Sequence, residues 1–153
     1  MNLTDILNEK CVKVPLESKD KNSGITELVD VLNAAGYIQN RDSVLEAVFM
    51  REQTRSTGIG SGIAIPHGKC NSVKDLVMAI GIASDPIDFD SIDKKPVKIV
   101  IMLVSPANQT GPHIQALAKI SRLMLDEDFR NDLEQADSSE KAYELISKQE
   151  HQI

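Results

Sequence analysis

Apolar residues recur along the chain in two periods, one near 3.6 and one extended, and they lay out alternating helices and strands. Leu3, Ile6 and Leu7 predict a short first helix, and Ile25, Leu28, Val29 and Leu32 predict a second that stops before Gly36. Ser43 and Glu46 have the spacing of a capping box, which opens a helix through Val44, Leu45, Val48 and Phe49 and puts Arg51 on its last turns. Gly62 to Pro66 reads as a short strand ended by its proline, with His67 just beyond, and strand ends are favoured ligand sites in α/β sheets. Val77 to Ala83 is a second strand. Val97 to Val104 (VKIVIMLV) is a third, apolar enough to be covered on both faces and therefore central. Between these two, PIDFDSIDKKP is a proline-bounded connection that Ile87, Phe89 and Ile92 anchor as a loop or short edge strand. Pro112 suits the first position of a helix, which places His113 in its first turn and gives a buried stripe of Ile114, Leu117, Ile120 and Met124, with the helix ending near Asp126. Helices around Phe129 to Leu133 and from Ser138 to Ser147, the latter with Ala142, Leu145 and Ile146 on its apolar face, complete the pattern. The expected architecture is an α/β three-layer sandwich, a mixed sheet with helices on both faces.

Composition narrows the function classes. The 153 residues fit one domain able to bury its own core, with residues 1–148 as that domain and 149–153 as a polar tail in which His151 is disordered. Hydrophobic content of 41% and charged content of 26% are those of a globular protein, and no apolar run approaches the ~20 residues of a membrane helix, so direct membrane insertion is not expected. The N-terminus carries acids and no signal core, which makes the cytoplasm the expected location. A net charge of −6, no basic run and 3% aromatic residues argue against nucleic acid as a partner. Cys11 and Cys70 form no CxxC. His67 and Cys70 do form an H-x-x-C, but no second ligand pair stands at a matching spacing, so neither a metal nor another cofactor is expected.

The chemistry concentrates between Arg51 and Lys69 (REQTRSTGIGSGIAIPHGK), where four glycines, four hydroxyls and three cations surround His67. Glycine lets backbone N–H groups close on an anion, so Gly58, Gly60 and Gly62, with the hydroxyls of Ser56 and Thr57, are candidate phosphate donors. Histidine is mostly neutral yet nucleophilic near pH 7, and its imidazole can attack phosphorus without a separate base. Arg51 and Lys69 are placed to neutralise phosphoryl oxygens. The motif is neither a P-loop nor GxGxxG, which disfavours nucleotide binding. His113 sits at a helix N-terminus, whose dipole attracts phosphate and lowers a histidine pKa by roughly half a unit. Other roles stay open for each residue. The glycine segment can be only a tight turn with His67 bonded to backbone. Arg51 can be a solvated helix-end cation, and His113 a residue facing solvent or capping its own helix.

The run STGIGSGIAIPHGK, preceded by Arg51-Glu52, resembles the phosphorylation-site signature of the type-2 EIIA proteins of the bacterial phosphotransferase system, the fructose, mannitol and nitrogen-regulatory superfamily. The likeness extends through Pro86 to Val97 and Gly111 to Arg130, nearly the whole chain. It implies a sheet of about five strands. It implies that His67 accepts a phosphoryl group, that Arg51 lies beside that group, and that His113 is the second histidine of the site. In mannitol-type members an acidic residue can stand where this chain has Ser61. The implied function is that of a carrier taking phosphate from HPr or an HPr-like donor and passing it to a IIB domain, with no metal required. A nitrogen-regulatory role remains open, in which the state of His67 controls docking to regulatory proteins, and the absence of a fused transport domain in this sequence leans that way. A weaker reading is a hydrolase using His67 and His113 as base and acid.

Overall fold

The computed structural model describes residues 1–152. The chain forms a six-stranded mixed sheet with five α-helices. In chain order the elements are β1 (Leu7–Leu16), α1 (Lys21–Ala34), α2 (Arg41–Thr54), β2 (Gly58–Gly60), β3 (Ile63–Ala64), β4 (His67–Lys69), β5 (Val77–Ile87), β6 (Val97–Ser105), α3 (Thr110–Leu123), α4 (Glu127–Glu134) and α5 (Ser139–Gln152). Strand order is β1-β5-β6-β3-β2, with β4 also paired to β6. The sheet is open, and α1 and α2 pack together as one layer while α4 and α5 pack together in the other.

β6 is central, as its apolar run implies. It pairs antiparallel with β5 on one side and parallel with β3 and β4 on the other, and eight of its nine residues are buried. β3 and β4 are one strand interrupted at Ile65-Pro66. Ile63 lies opposite Ile99, Ala64 opposite Val100, His67 opposite Leu103 and Lys69 opposite Ser105, in one unbroken register. Proline has no N–H to give to a sheet ladder, although the Pro66 carbonyl still accepts from Leu103, 3.1 Å away. His67 therefore begins a strand, where the sequence pattern places it just past the end of one.

Other elements depart from the pattern in instructive ways. Leu3–Asp5 forms a single 3₁₀ turn, and the residues after it form β1, which the pattern misses altogether. Register shifts between Leu7 and Val12 and between Lys13 and Leu16 break the two-residue alternation by which a strand is recognised. Asn40, not Ser43, caps α2, its side chain accepting from the Ser43 N–H at 3.1 Å. In the connection after β5, Ile87 and Phe89 are fully buried but Ile92 is 60% exposed. The inward face of α3 is His113, Ala116, Ile120 and Leu123, while Ile114 is 60% exposed and Leu117 half-buried. His113 takes the inward position in the first turn and Ile114 faces outward, while Ile120 and Met124 are buried as the pattern expects.

The expected tail at 149–153 is helix as far as the described residues reach, because α5 continues to Gln152. His151 Nδ1–H donates to the Ser147 carbonyl at 2.6 Å. The buried Glu150 carboxylate accepts the Leu3 N–H and pairs with Lys119 Nζ at 3.2 Å, which ties both chain ends to α3. Among the described residues no helix is long and apolar enough to cross a membrane.

Candidate functional site

Three segments converge at the edge of the sheet. β4 brings His67 and Lys69 to the side facing α3. Gly68, between them, faces α2, where a Cβ would stand 3.2 Å from the Ala47 carbonyl carbon, so its absence lets α2 close on the strand and deliver Arg51. α3 delivers His113 from its first turn. The two imidazoles meet edge to face, with ring centroids 5.4 Å apart and planes inclined by 64°.

Each ring is held by its Nδ1. In His67 this atom lies 2.8 Å from the Ile65 carbonyl, which can only accept, so Nδ1 carries the proton and Nε2 keeps its lone pair. In the buried His113 the Nδ1 lies 2.7 Å from Ser105 Oγ. Burial pushes the His113 pKa down to about 4, helped by repulsion from His67 and Lys69. Burial also lowers the His67 pKa. The Ile65 hydrogen bond works against that shift, and Arg51 adds to it. Both rings are therefore neutral at pH 7. Desolvation, more than the helix dipole anticipated from sequence, sets the His113 value.

His67 stands between two cavities. One, of about 330 Å³, is lined by His67, His113, Arg51, Lys69, Ile114 and Leu117 among others. The second, of about 340 Å³, shares Arg51, His67 and Leu117 and adds Arg55, Ser56, Thr57 and Ile92. Arg51 Nη1 donates to the Arg55 carbonyl at 2.9 Å, which steadies the guanidinium while its other N–H groups have no partner among the described residues. Lys69 Nζ is 3.0 Å from Thr110 Oγ1. A larger cavity, about 560 Å³, lies beside Lys21 and Glu52, but those two charges already pair at 3.0 Å.

The structure brings together His67, His113 and Arg51, and it sets the glycines apart from them. β2 and β3 form an antiparallel hairpin whose turn holds Gly60 at φ +101°, Ser61 at +58° and Gly62 at +77°. Asp93 and Glu134 carboxylates flank this turn, surroundings that repel an anion. Gly58 packs against Ser91, where a Cβ would come within 3.0 Å of the Ser91 Cα, and its N–H is taken by Ser56 Oγ at 3.1 Å. Gly58, Gly60 and Gly62 line neither cavity at His67. Thr57 is spoken for as well. Its N–H donates to the buried Glu52 carboxylate at 2.8 Å, and its hydroxyl donates to the same group. Ser56 gives its hydroxyl proton to the Phe89 carbonyl. The glycine loop thus forms a turn whose polar groups are engaged within the fold, with Ser56 and Thr57 lining the second cavity at His67. Sequence reasoning missed Ser105 and Arg55. Ser105 is a polar end to the unbroken apolar run Ile99 to Val104, and Arg55 stands four residues after Arg51.

Among the described residues no group of three metal-binding side chains occurs, and Cys11 and Cys70 are free thiols. The family model described as "Phosphoenolpyruvate-dependent sugar phosphotransferase system, EIIA 2" matches residues 5–149. The chain is 37% identical over 147 residues to the fructose-specific EIIABC component of Bacillus subtilis, covering 96% of this chain but only 23% of that protein. It is 35% identical over 150 residues to the nitrogen regulatory protein of Klebsiella oxytoca, covering 96% of this chain and 91% of that one. The crystal structure of the nitrogen regulatory protein IIA-Ntr from Neisseria meningitidis superimposes with a TM-score of 0.86 at 30% identity, over 94% of this chain and 98% of that one.

Proposed function

The chain belongs to the type-2 EIIA family of the phosphoenolpyruvate-dependent sugar phosphotransferase system, and from that premise we propose that it is a phosphoryl carrier. His67 accepts the group from HPr or an HPr-like phosphocarrier protein and passes it to a sugar-specific IIB domain. The observation that carries this reading is the state of His67: Nδ1–H committed to the Ile65 carbonyl, and Nε2 free in a cleft with Arg51, Lys69 and His113. In the step proposed, a P–N bond to the donor imidazole breaks as a P–Nε2 bond forms on His67. The donor nitrogen recovers the electron pair, and no proton need leave His67, whose Nδ1–H remains on the carbonyl. Positive charge grows on the ring as phosphorus arrives, and the phosphoryl oxygens balance it. Arg51 and Lys69 offset the oxygens' own charge, and His113 offers a neutral partner. Exchange between two histidines is nearly balanced in free energy, so alignment and charge stabilisation are what the protein must supply.

A regulatory role uses the same site and is favoured by the similarity to a nitrogen regulatory protein over nearly the whole of both chains. Phosphorylation would put negative charge at the centre of a face bearing exposed Ile59, Ile92 and Ile114, and so make or abolish an interface there. Intact-mass analysis after incubation with phosphoenolpyruvate, enzyme I and HPr tests the carrier reading. One acid-labile phosphoryl group is expected on the wild type and none on His67→Ala. A folded wild type left unlabelled by competent donors would overturn it.

A further inference from the structure

We propose that Ser105 is a positioning residue that fixes His113 as its Nε2–H tautomer, so that a neutral N–H donor faces the phosphoryl group carried by His67. The inference deepens the carrier reading and rests on it for its functional half, while the tautomer itself can be measured apart from any transfer.

Ser105 ends β6 with no exposed surface, and among the described residues the sole partner of its hydroxyl is His113 Nδ1 at 2.7 Å. Two arrangements satisfy that distance. If Nδ1–H donated to Oγ, the serine proton would be left buried with nothing to accept it, the costly kind of omission. If the hydroxyl donates to Nδ1, its proton is satisfied and only acceptor capacity on Oγ goes unused, which costs less. The second arrangement requires the ring proton to sit on Nε2.

The other end of the ring agrees. Ser91 Oγ is the one buried side-chain polar atom without a partner among the described residues, so Nε2 of His113, which has no protein partner, is not sealed off. His113 lines the cavity it shares with His67 and Arg51, and with Nδ1 turned to Ser105 the geometry points its Nε2 edge there. A bare Nε2 lone pair there would repel phosphoryl oxygens, whereas Nε2–H donates to them. Burial and the nearby Lys69 keep the ring neutral, so the donor is present at physiological pH without a second positive charge next to the nucleophile. The register explains why serine can act here. Ser105 lies opposite Lys69 on the strand pair that carries His67, at the end of β6 and five residues before α3 begins at Thr110.

The test joins imidazole ¹⁵N spectroscopy with transfer kinetics on the whole chain. In the unphosphorylated wild type at pH 7, His113 Nε2 should resonate as the protonated nitrogen and Nδ1 as an unprotonated, hydrogen-bonded one. In Ser105→Ala, Nδ1 should move toward the position of an unbonded ring nitrogen, and transfer from phospho-HPr should slow about five- to tenfold, the loss of one hydrogen bond, with His67 still the labelled residue. Ser105→Thr should restore both. A proton on Nδ1 in the wild type, or wild-type kinetics in folded Ser105→Ala, would overturn the proposal. A wild type that takes no phosphoryl group but shows the expected tautomer would remove the carrier reading and the functional half with it, leaving the assigned geometry standing.

Discussion

The hairpin of β2 and β3 and the cleft between β4 and α3 are neighbours in sequence and differ in almost every physical respect. The hairpin is rich in glycine, flanked by the carboxylates of Asp93 and Glu134, and its polar groups are spent on supporting the chain. The cleft holds two neutral imidazoles, Arg51 and Lys69, and groups without protein partners. Glycine density marks where a backbone must turn or approach closely, and here that need is met several residues before the reacting atom. Its service to the cleft is indirect, since the hairpin leads into the interrupted strand that sets His67.

If the cleft and the hairpin divide chemistry from support in this way, acid should strain the cleft most. An unfolded histidine protonates near pH 6.5, but His113 in the fold resists until about 4, so the unfolded chain binds more protons between those values. Stability is fully present above 6.5 and falls as pH drops toward 4, by up to about 3 kcal/mol from this ring. His67, also shifted down, adds in the same direction. Urea unfolding across this range should show a steep loss in the wild type and a shallower one in His113→Gln. Parallel slopes would mean that His113 is not the buried neutral group described.

Next in size is Arg51→Ala, which should slow phosphoryl transfer roughly 10²-fold, the effect of removing one donor that stabilises developing charge, with little change in the urea midpoint. Unchanged kinetics would make Arg51 a helix-end cation and shrink the cleft to its histidines. In the hairpin the effects should invert. Gly58→Ala forces a methyl against the Ser91 backbone and should destabilise by about 1–3 kcal/mol, yet the folded fraction should label at the wild-type rate. Gly60→Ala, at φ +101°, should cost about 1 kcal/mol and also leave transfer untouched. Slowed transfer in either folded glycine variant would return the hairpin to the site.

Much of this division can be read from the residues, and the parts that cannot have definite causes. The apolar run of β6 announces itself because the strand is buried almost continuously, and the stripe Ile25, Leu28, Val29 and Leu32 of α1 because burial there follows the helical period. β1 is silent because its bulges destroy such a period, and the first turn of α3 is misread because His113 takes the inward position expected of Ile114, while Ile120 and Met124 are buried as expected. At the site, His67, His113 and Arg51 are legible as types suited to phosphate. That Thr57 belongs to Glu52, five residues back, and His113 to Ser105, eight back, is tertiary pairing that no local spacing encodes. Gly58, Gly60 and Gly62 are ambiguous for the opposite reason. The permissive backbone that could cradle an anion serves equally well to make a turn, and composition does not separate the two.

The decisive atom of the proposed transfer is Nε2 of His67, the one that takes phosphorus. Phosphorus and nitrogen NMR of the enzymatically phosphorylated, ¹⁵N-labelled protein reads that atom directly. The structure predicts a single phosphohistidine at His67, with phosphorus coupled to Nε2 and a proton retained on Nδ1, still donated to the Ile65 carbonyl. Phosphorus on Nδ1, or on any residue other than His67, would contradict it.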